Sequence, residues 1–169
     1  MNTGQMLLTT AAMVLLGTTV LSVNRSFNQQ GVILEQTEIG VYAISVATSV
    51  IEEASGMAFD QATVDNSVTG PSSLTSPNRL GPDLGETTTP PSTTNFNDFD
   101  DFNSLRLGVK VAGVDSFTVK SSVYYIDPSA PDIPLNSRTF FKRIDVSVFG
   151  TASADTIRMS YIFSYFMFR

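Results

Sequence analysis

Before Arg25 the chain carries no charged side chain, and residues 1–58 contain no proline. Residues 6–23 (MLLTTAAMVLLGTTVLSV) are long enough to cross a bilayer as a helix, since about 20 apolar residues at 1.5 Å rise span a hydrocarbon layer of roughly 30 Å. The helical pattern continues beyond them. Val32, Ile39, Ala43, Val46, Val50, Ala54 and Met57 recur at intervals that keep one stripe on one side of a helix, and Val41, Ile44 and Ile51 add a second apolar flank. A helix of about 57 residues would be about 85 Å long. A domain of this size cannot cover that length, so the uncovered half needs lipid or copies of itself.

Thr9, Thr10, Gly17, Thr18 and Thr19 interrupt the apolar run. Threonine hydroxyls can return hydrogen bonds to the preceding turn, and small residues let helices approach closely. Gly17 marks the weakest helical point, because glycine costs about 1 kcal/mol against alanine. The polar run 24–30 (NRSFNQQ) marks a membrane boundary. Glu35, Glu38, Glu52 and Glu53 fall on or near the polar side of the stripe, as a solvated face.

Composition narrows what the rest can do. A net charge of −6 argues against nucleic acid as a partner, since phosphate binding needs clustered Lys and Arg. Without cysteine there is no disulfide framework and no thiolate chemistry, and without histidine the commonest general base is missing. Nothing favours an enzyme. A secretory signal peptide is not expected, since residues 1–5 carry no Lys or Arg and the helical pattern continues through the place where cleavage would fall. The missing basic flank leaves a membrane segment poorly oriented, so the chain is expected to be a processed form whose basic leader has been removed.

From about 64 to 94 the sequence is dense in Pro, Gly, Ser and Thr, which favours turns and extended backbone over regular helix. Such a run is expected to be exposed or wrapped along a surface, and its Ser and Thr make it a candidate carrier of O-linked sugars. Residues 95–104 (NFNDFDDFNS) interleave Asp98, Asp100 and Asp101 with Phe96, Phe99 and Phe102. Phenylalanine at every third position lets one helical turn or a tight loop bury the rings while the carboxylates face out. Those carboxylates suit either capping of a turn or oxygen ligation of Ca²⁺, although the glycine and terminal glutamate of an EF-hand loop are missing.

The remainder alternates. Strands are expected at 105–112, 116–126, 138–149 and 156–168, with 127–137 a proline-broken connection. Ile144, Val146 and Val148 share one face opposite Arg143, Asp145 and Ser147, while Ile157, Met159, Tyr161 and Phe163 face away from Arg158, Ser160 and Ser164. Four strands joined by short links predict an antiparallel meander whose apolar face is covered by the second half of the helix. Phe166, Met167 and Phe168 lack alternation, so both faces of the last strand are expected to be covered. The fold class is therefore α+β: a long N-terminal α-helix with its C-terminal half packed on a four-stranded antiparallel β-sheet. The divisions are an apolar helix at 1–24, its amphipathic continuation at 25–58, a loop region at 59–104 and the sheet at 105–169.

An apolar N-terminal helix running into an amphipathic half, then FNDFDDFNS, then FKRIDVSVFG and DTIRMSYIFS, resembles the type IV pilins and related pseudopilins over nearly the whole chain. The most specific matches lie at 142–148, 156–164 and 98–103. The resemblance implies a structural subunit, inserted in the bacterial inner membrane and then assembled with identical subunits into an extracellular helical filament whose core is the bundled apolar helices. It implies assembly through Met1, Gln5, Leu7, Leu8, Leu15, Leu16, Gly17 and Leu21, a prepilin peptidase cutting just before Met1, and methylation of the Met1 amine. A minor pseudopilin of a secretion machine, or a single-pass anchored binding protein, is the alternative. Where family members usually carry glutamate this chain has Gln5, which can accept a hydrogen bond from a neighbouring amine but cannot neutralise it. The first helix has no proline, and the cysteine pair common near pilin C-termini is absent.

Overall fold

The structure is a computed structural model that describes residues 2–86, 91–151 and 155–167, and the chain divides into two compact units, Met1–Glu38 and Ile39–Arg169. Helix α1, Thr3–Ser55, begins in the first and continues into the second. Its length follows from the absence of proline and from the way its polar residues are used. The Thr9, Thr10, Thr18 and Thr19 hydroxyls each donate to a carbonyl three or four residues back, at 2.6–3.1 Å. Each hydroxyl thus finds its partner inside the helix. Gly17, the expected weak point, is passed without a break in the helix. The helix stops at Gly56, whose N–H still reaches the Glu52 carbonyl at 3.1 Å.

In the first unit the apolar side chains of α1 are exposed, Val32, Ile33 and Leu34 among them. Val32 was expected to lie on the covered stripe. Burial starts instead at Ile39 and continues through Ala43, Ala47, Val50, Ile51 and Ala54. Val46 and Met57 are half-buried at the margin, while Val41 and Ile44 of the expected second flank are exposed. Ala47 and Ala54 are fully buried and bring the helix close to the sheet.

Within the second unit five antiparallel strands follow: β1 (Arg106–Val111), β2 (Asp115–Asp127), β3 (Ala130–Leu135), β4 (Phe141–Gly150) and β5 (Thr156–Ser164). Their order is β1-β2-β4-β5, with β3 beside β2. The register places Val119 opposite Val148, Val123 opposite Ile144 and Val146 opposite Met159, so the apolar parity of each strand falls on the face that packs against residues 39–55 of α1. The fifth strand lies in the connection expected to be irregular. Pro131 and Pro134 cannot donate to a ladder, which restricts β3 to an edge position with Tyr125–Leu135 and Asp127–Ala130 pairing around a bulge. The last strand ends at Ser164; Phe166 and Met167 lie exposed in a turn, and Phe168 falls outside the described residues.

The loop region is pinned down at intervals. Short 3-10 turns at Pro71–Ser73 and Pro77–Arg79 each begin on proline, whose fixed φ suits that position. Between them Leu74 is buried in the core. A further turn, Phe99–Phe102, buries Phe96, Phe99 and Phe102 together as their spacing predicts.

Candidate functional site

Two features stand out from ordinary packing: the bare apolar end of α1, and a knot of charge inside the second unit. At the first, Leu7 is 72 % exposed, Leu8 75 %, Leu15 69 %, Leu16 66 % and Leu21 60 %. No part of the most apolar 18-residue window is buried, and the helix is long and apolar enough to cross a membrane. At this end the exposed Met6, Leu7, Leu8, Val14, Leu15 and Leu16 are spread round the helix, which suits immersion rather than lying on a surface. Gln5 is exposed, and around Gly17 nothing lies within 4 Å of the place a Cβ would take, so a neighbouring backbone can approach there. Met1 lies outside the described residues.

The knot centres on Lys142. On β4 it has the parity of Ile144, Val146 and Val148, so strand geometry forces its ammonium into the core, where it is fully buried. Its three donors are all used: Asp60 Oδ2 at 2.8 Å, Asp100 Oδ1 at 2.6 Å and the Phe59 carbonyl at 2.8 Å. The Phe59 ring also faces the ammonium, 4.7 Å from its centroid. Asp60 caps the 3-10 turn Gln61–Thr63 and also accepts from the Thr75 N–H and hydroxyl and from the Tyr125 hydroxyl. Burial works to raise the Asp60 pKa, but Lys142 and these hydrogen bonds outweigh it and hold the carboxyl below its ordinary value.

The three aspartates expected to face outward are buried instead. Asp98 caps the Phe99–Phe102 turn, accepting from the Asp100 and Asp101 N–H groups at 2.8 and 3.2 Å, and Asp101 returns the bond to the Asp98 N–H at 3.1 Å. This is a reciprocal capping box. Glu86, also buried, accepts from Asn97 Nδ2 at 2.6 Å. The carboxylates are directed at backbone N–H groups and Lys142 rather than at a common point; among the described residues no group of three or more acidic, histidine or cysteine side chains is arranged to hold a metal ion.

Five carboxyls are buried here, and of them only Asp60 and Asp100 reach the Lys142 ammonium. Burial pushes the Asp98 pKa up to about 9, with help from the Asp100 carboxyl beside it and from Asp101. Burial also raises Asp100 and, with Asp101 nearby, Glu86. For Asp98 the folded pKa exceeds the unfolded value of 3.8, so its contribution to stability is complete below 3.8 and is lost as pH rises toward about 9. Asp98→Asn keeps an acceptor for the turn and supplies a permanent N–H toward Asp100. This variant is expected to melt higher than the wild type at pH 8, with a smaller difference between pH 5 and pH 8, in thermal melts followed by circular dichroism.

No family model, curated protein or solved structure matches the chain. Its function has to follow from its own surface and interior. Of the residues singled out from the sequence, the structure gathers Asp98, Asp100 and Asp101 into the knot and leaves Gln5, Leu7, Leu8, Leu15, Leu16, Gly17 and Leu21 bare. Lys142, Asp60, Glu86 and Tyr125 were not anticipated. The parity of Lys142 with three β-branched apolar neighbours was the available signal.

Proposed function

We propose that the chain is the structural subunit of an extracellular type IV pilus-like filament on a bacterial surface, polymerising by bundling of its apolar N-terminal helices. The observation that carries this is the helix at 3–24, apolar on all sides, exposed throughout, and with its threonine hydroxyls already bonded internally. Such a surface is stable only in lipid or against similar surfaces. In lipid it serves as the inner-membrane anchor of the monomer; moving from lipid to a bundle replaces lipid contacts by helix packing. The resemblance to pilins supplies the order of events, with removal of a leader by a prepilin peptidase, methylation of Met1, and assembly by dedicated machinery. The knot around Lys142 acts as a structural staple that holds the loop region against the sheet, keeping the domain rigid on the filament exterior.

The same helix equally serves a single-pass anchored protein or a minor pseudopilin that never forms long polymers. Negative-stain microscopy of material sheared from cells separates the two. Abundant fibres composed of this chain are the expected result. A chain found only in the membrane fraction, with no fibre, favours the anchored protein.

A further inference from the structure

The charge knot also sets a nucleophile against a carboxyl carbon. Lys142 and Asp100 are 42 residues apart in the chain and meet with Nζ 2.6 Å from Oδ1, their side chains 0 % and 3 % exposed. A nitrogen that close to a carboxyl oxygen lies within about 3.5 Å of the carboxyl carbon, the separation of a near-attack pair. Asp60 Oδ2 and the Phe59 carbonyl take the other two donors at 2.8 Å each, so the lysine cannot swing away without losing both bonds. The Phe59 and Tyr125 rings flank the ammonium, with centroids at 4.7 and 5.3 Å. The two carboxyls on this nitrogen differ in character. Burial raises Asp100 toward its neutral form, whereas at Asp60 burial is outweighed by Lys142 and by N–H donors, which keep that carboxyl ionised.

We propose that Lys142 and Asp100 condense into an intramolecular amide, with Asp60 as the proton carrier. The ammonium first passes one proton to the Asp100 carboxylate, which leaves a neutral amine beside a neutral acid. The nitrogen lone pair then attacks Cγ of Asp100, the N–C bond forms, and the carbonyl electron pair moves onto oxygen. Asp60 takes the proton that the nitrogen sheds and returns it to the Asp100 hydroxyl as the C–O bond breaks. One water leaves, the carbonyl re-forms and Asp60 is a carboxylate again, so the net charge of the group is the same before and after. Free amines and acids stay as ions in water. Here the fixed contact supplies an effective concentration on the order of 10⁵–10⁸ M, and burial disfavours the ionised reactants. Asp60 remains satisfied in the product, since it already accepts from the Ala62 and Thr75 N–H groups and the Tyr125 hydroxyl. The amide ties the Phe99–Phe102 turn to β4 in a chain that has no cysteine to make such a tie. Chain that has not condensed keeps the ion network, and mass separates the two forms.

The test is the intact mass of the full chain, purified in nonionic detergent, incubated and then denatured. Lys142→Arg prepared in the same way is the reference, so that any processing at the N-terminus cancels. After the substitution itself is accounted for, the wild type should be lighter by one water. Trypsin should then fail to cut after Lys142 and release a branched peptide joining 80–106 to 139–143. Asp100→Asn removes the hydroxyl that leaves, so this variant should lose no water. Asp60→Asn should slow condensation by about 10²–10⁴-fold, the usual contribution of a positioned proton carrier, and Asp60→Glu should recover part of it. The proposal is overturned by wild type that shows no loss of water and frees 139–142 on digestion, by a branch to 26–79, which holds Asp60, or by loss of water from Asp100→Asn. Condensation of Asp60→Asn to the wild-type extent overturns the part given to Asp60.

Discussion

Lys142→Met is expected to destabilise the second unit by about 3–5 kcal/mol, the effect of breaking a buried ion network by removing one partner. Methionine fits the space left by the lysine stem, so the loss comes from charge rather than from a cavity. Asp60 and Asp100 would be left facing each other's charge inside the core with no cation, each having accepted a short hydrogen bond from the ammonium. In a urea titration the midpoint should fall accordingly, and the melting temperature by on the order of 10–20 °C. The deficit should be smaller at pH 4 than at pH 8, because protonation removes the stranded charges. Adding Asp60→Asn and Asp100→Asn to Lys142→Met should restore much of the stability, since a neutral core of the same shape is often no worse than an ion network. A single variant as stable as the wild type would show that the ammonium is dispensable.

Leu15→Asp should abolish filaments while leaving the subunit in the membrane. A carboxylate at the centre of a membrane helix costs about 2.5–3.5 kcal/mol, which the many apolar residues around it can offset. The bilayer can thin and admit water to the carboxylate, whereas a packed bundle withholds that relief and sets each carboxylate near its copies in neighbouring subunits. At about 3 kcal/mol per added subunit, each elongation step weakens by on the order of a hundredfold. Shearing, pelleting and microscopy measure fibre yield, and fractionation measures insertion. Normal fibres from this variant would contradict the proposed assembly.

How far the fold could be read from residues depended on whether neighbours in sequence were also the deciding neighbours in space. Phe96, Phe99 and Phe102 lie within one turn, so their common burial followed from spacing alone. The parity of β4 and β5 was equally local. Strand β3 escaped because Pro131 and Pro134 suppress every strand signal, and an edge position is the one place a sheet tolerates them. The stripe on α1 was drawn as far as Val32 because periodicity describes a face without saying where its cover ends. The charge knot was the least legible part. Asp98, Asp100 and Asp101 look like solvated acids in isolation, and their burial makes sense only once Lys142 is brought in from 42 residues beyond Asp100. The bare helix at 3–24, by contrast, was fully declared by its composition.

Asp60 leaves the ribosome 82 residues before the lysine that will hold it. At about 5–20 residues per second, synthesis of the intervening chain takes about 4 to 16 s. During that interval an emerged α1 already offers grease with no sheet to shield its latter half, and the acids of the knot remain hydrated with no cation to draw them inward. Completion of the knot is thus deferred until β4 emerges, and a chain halted between residues 60 and 142 would hold the acids of the knot without their cation.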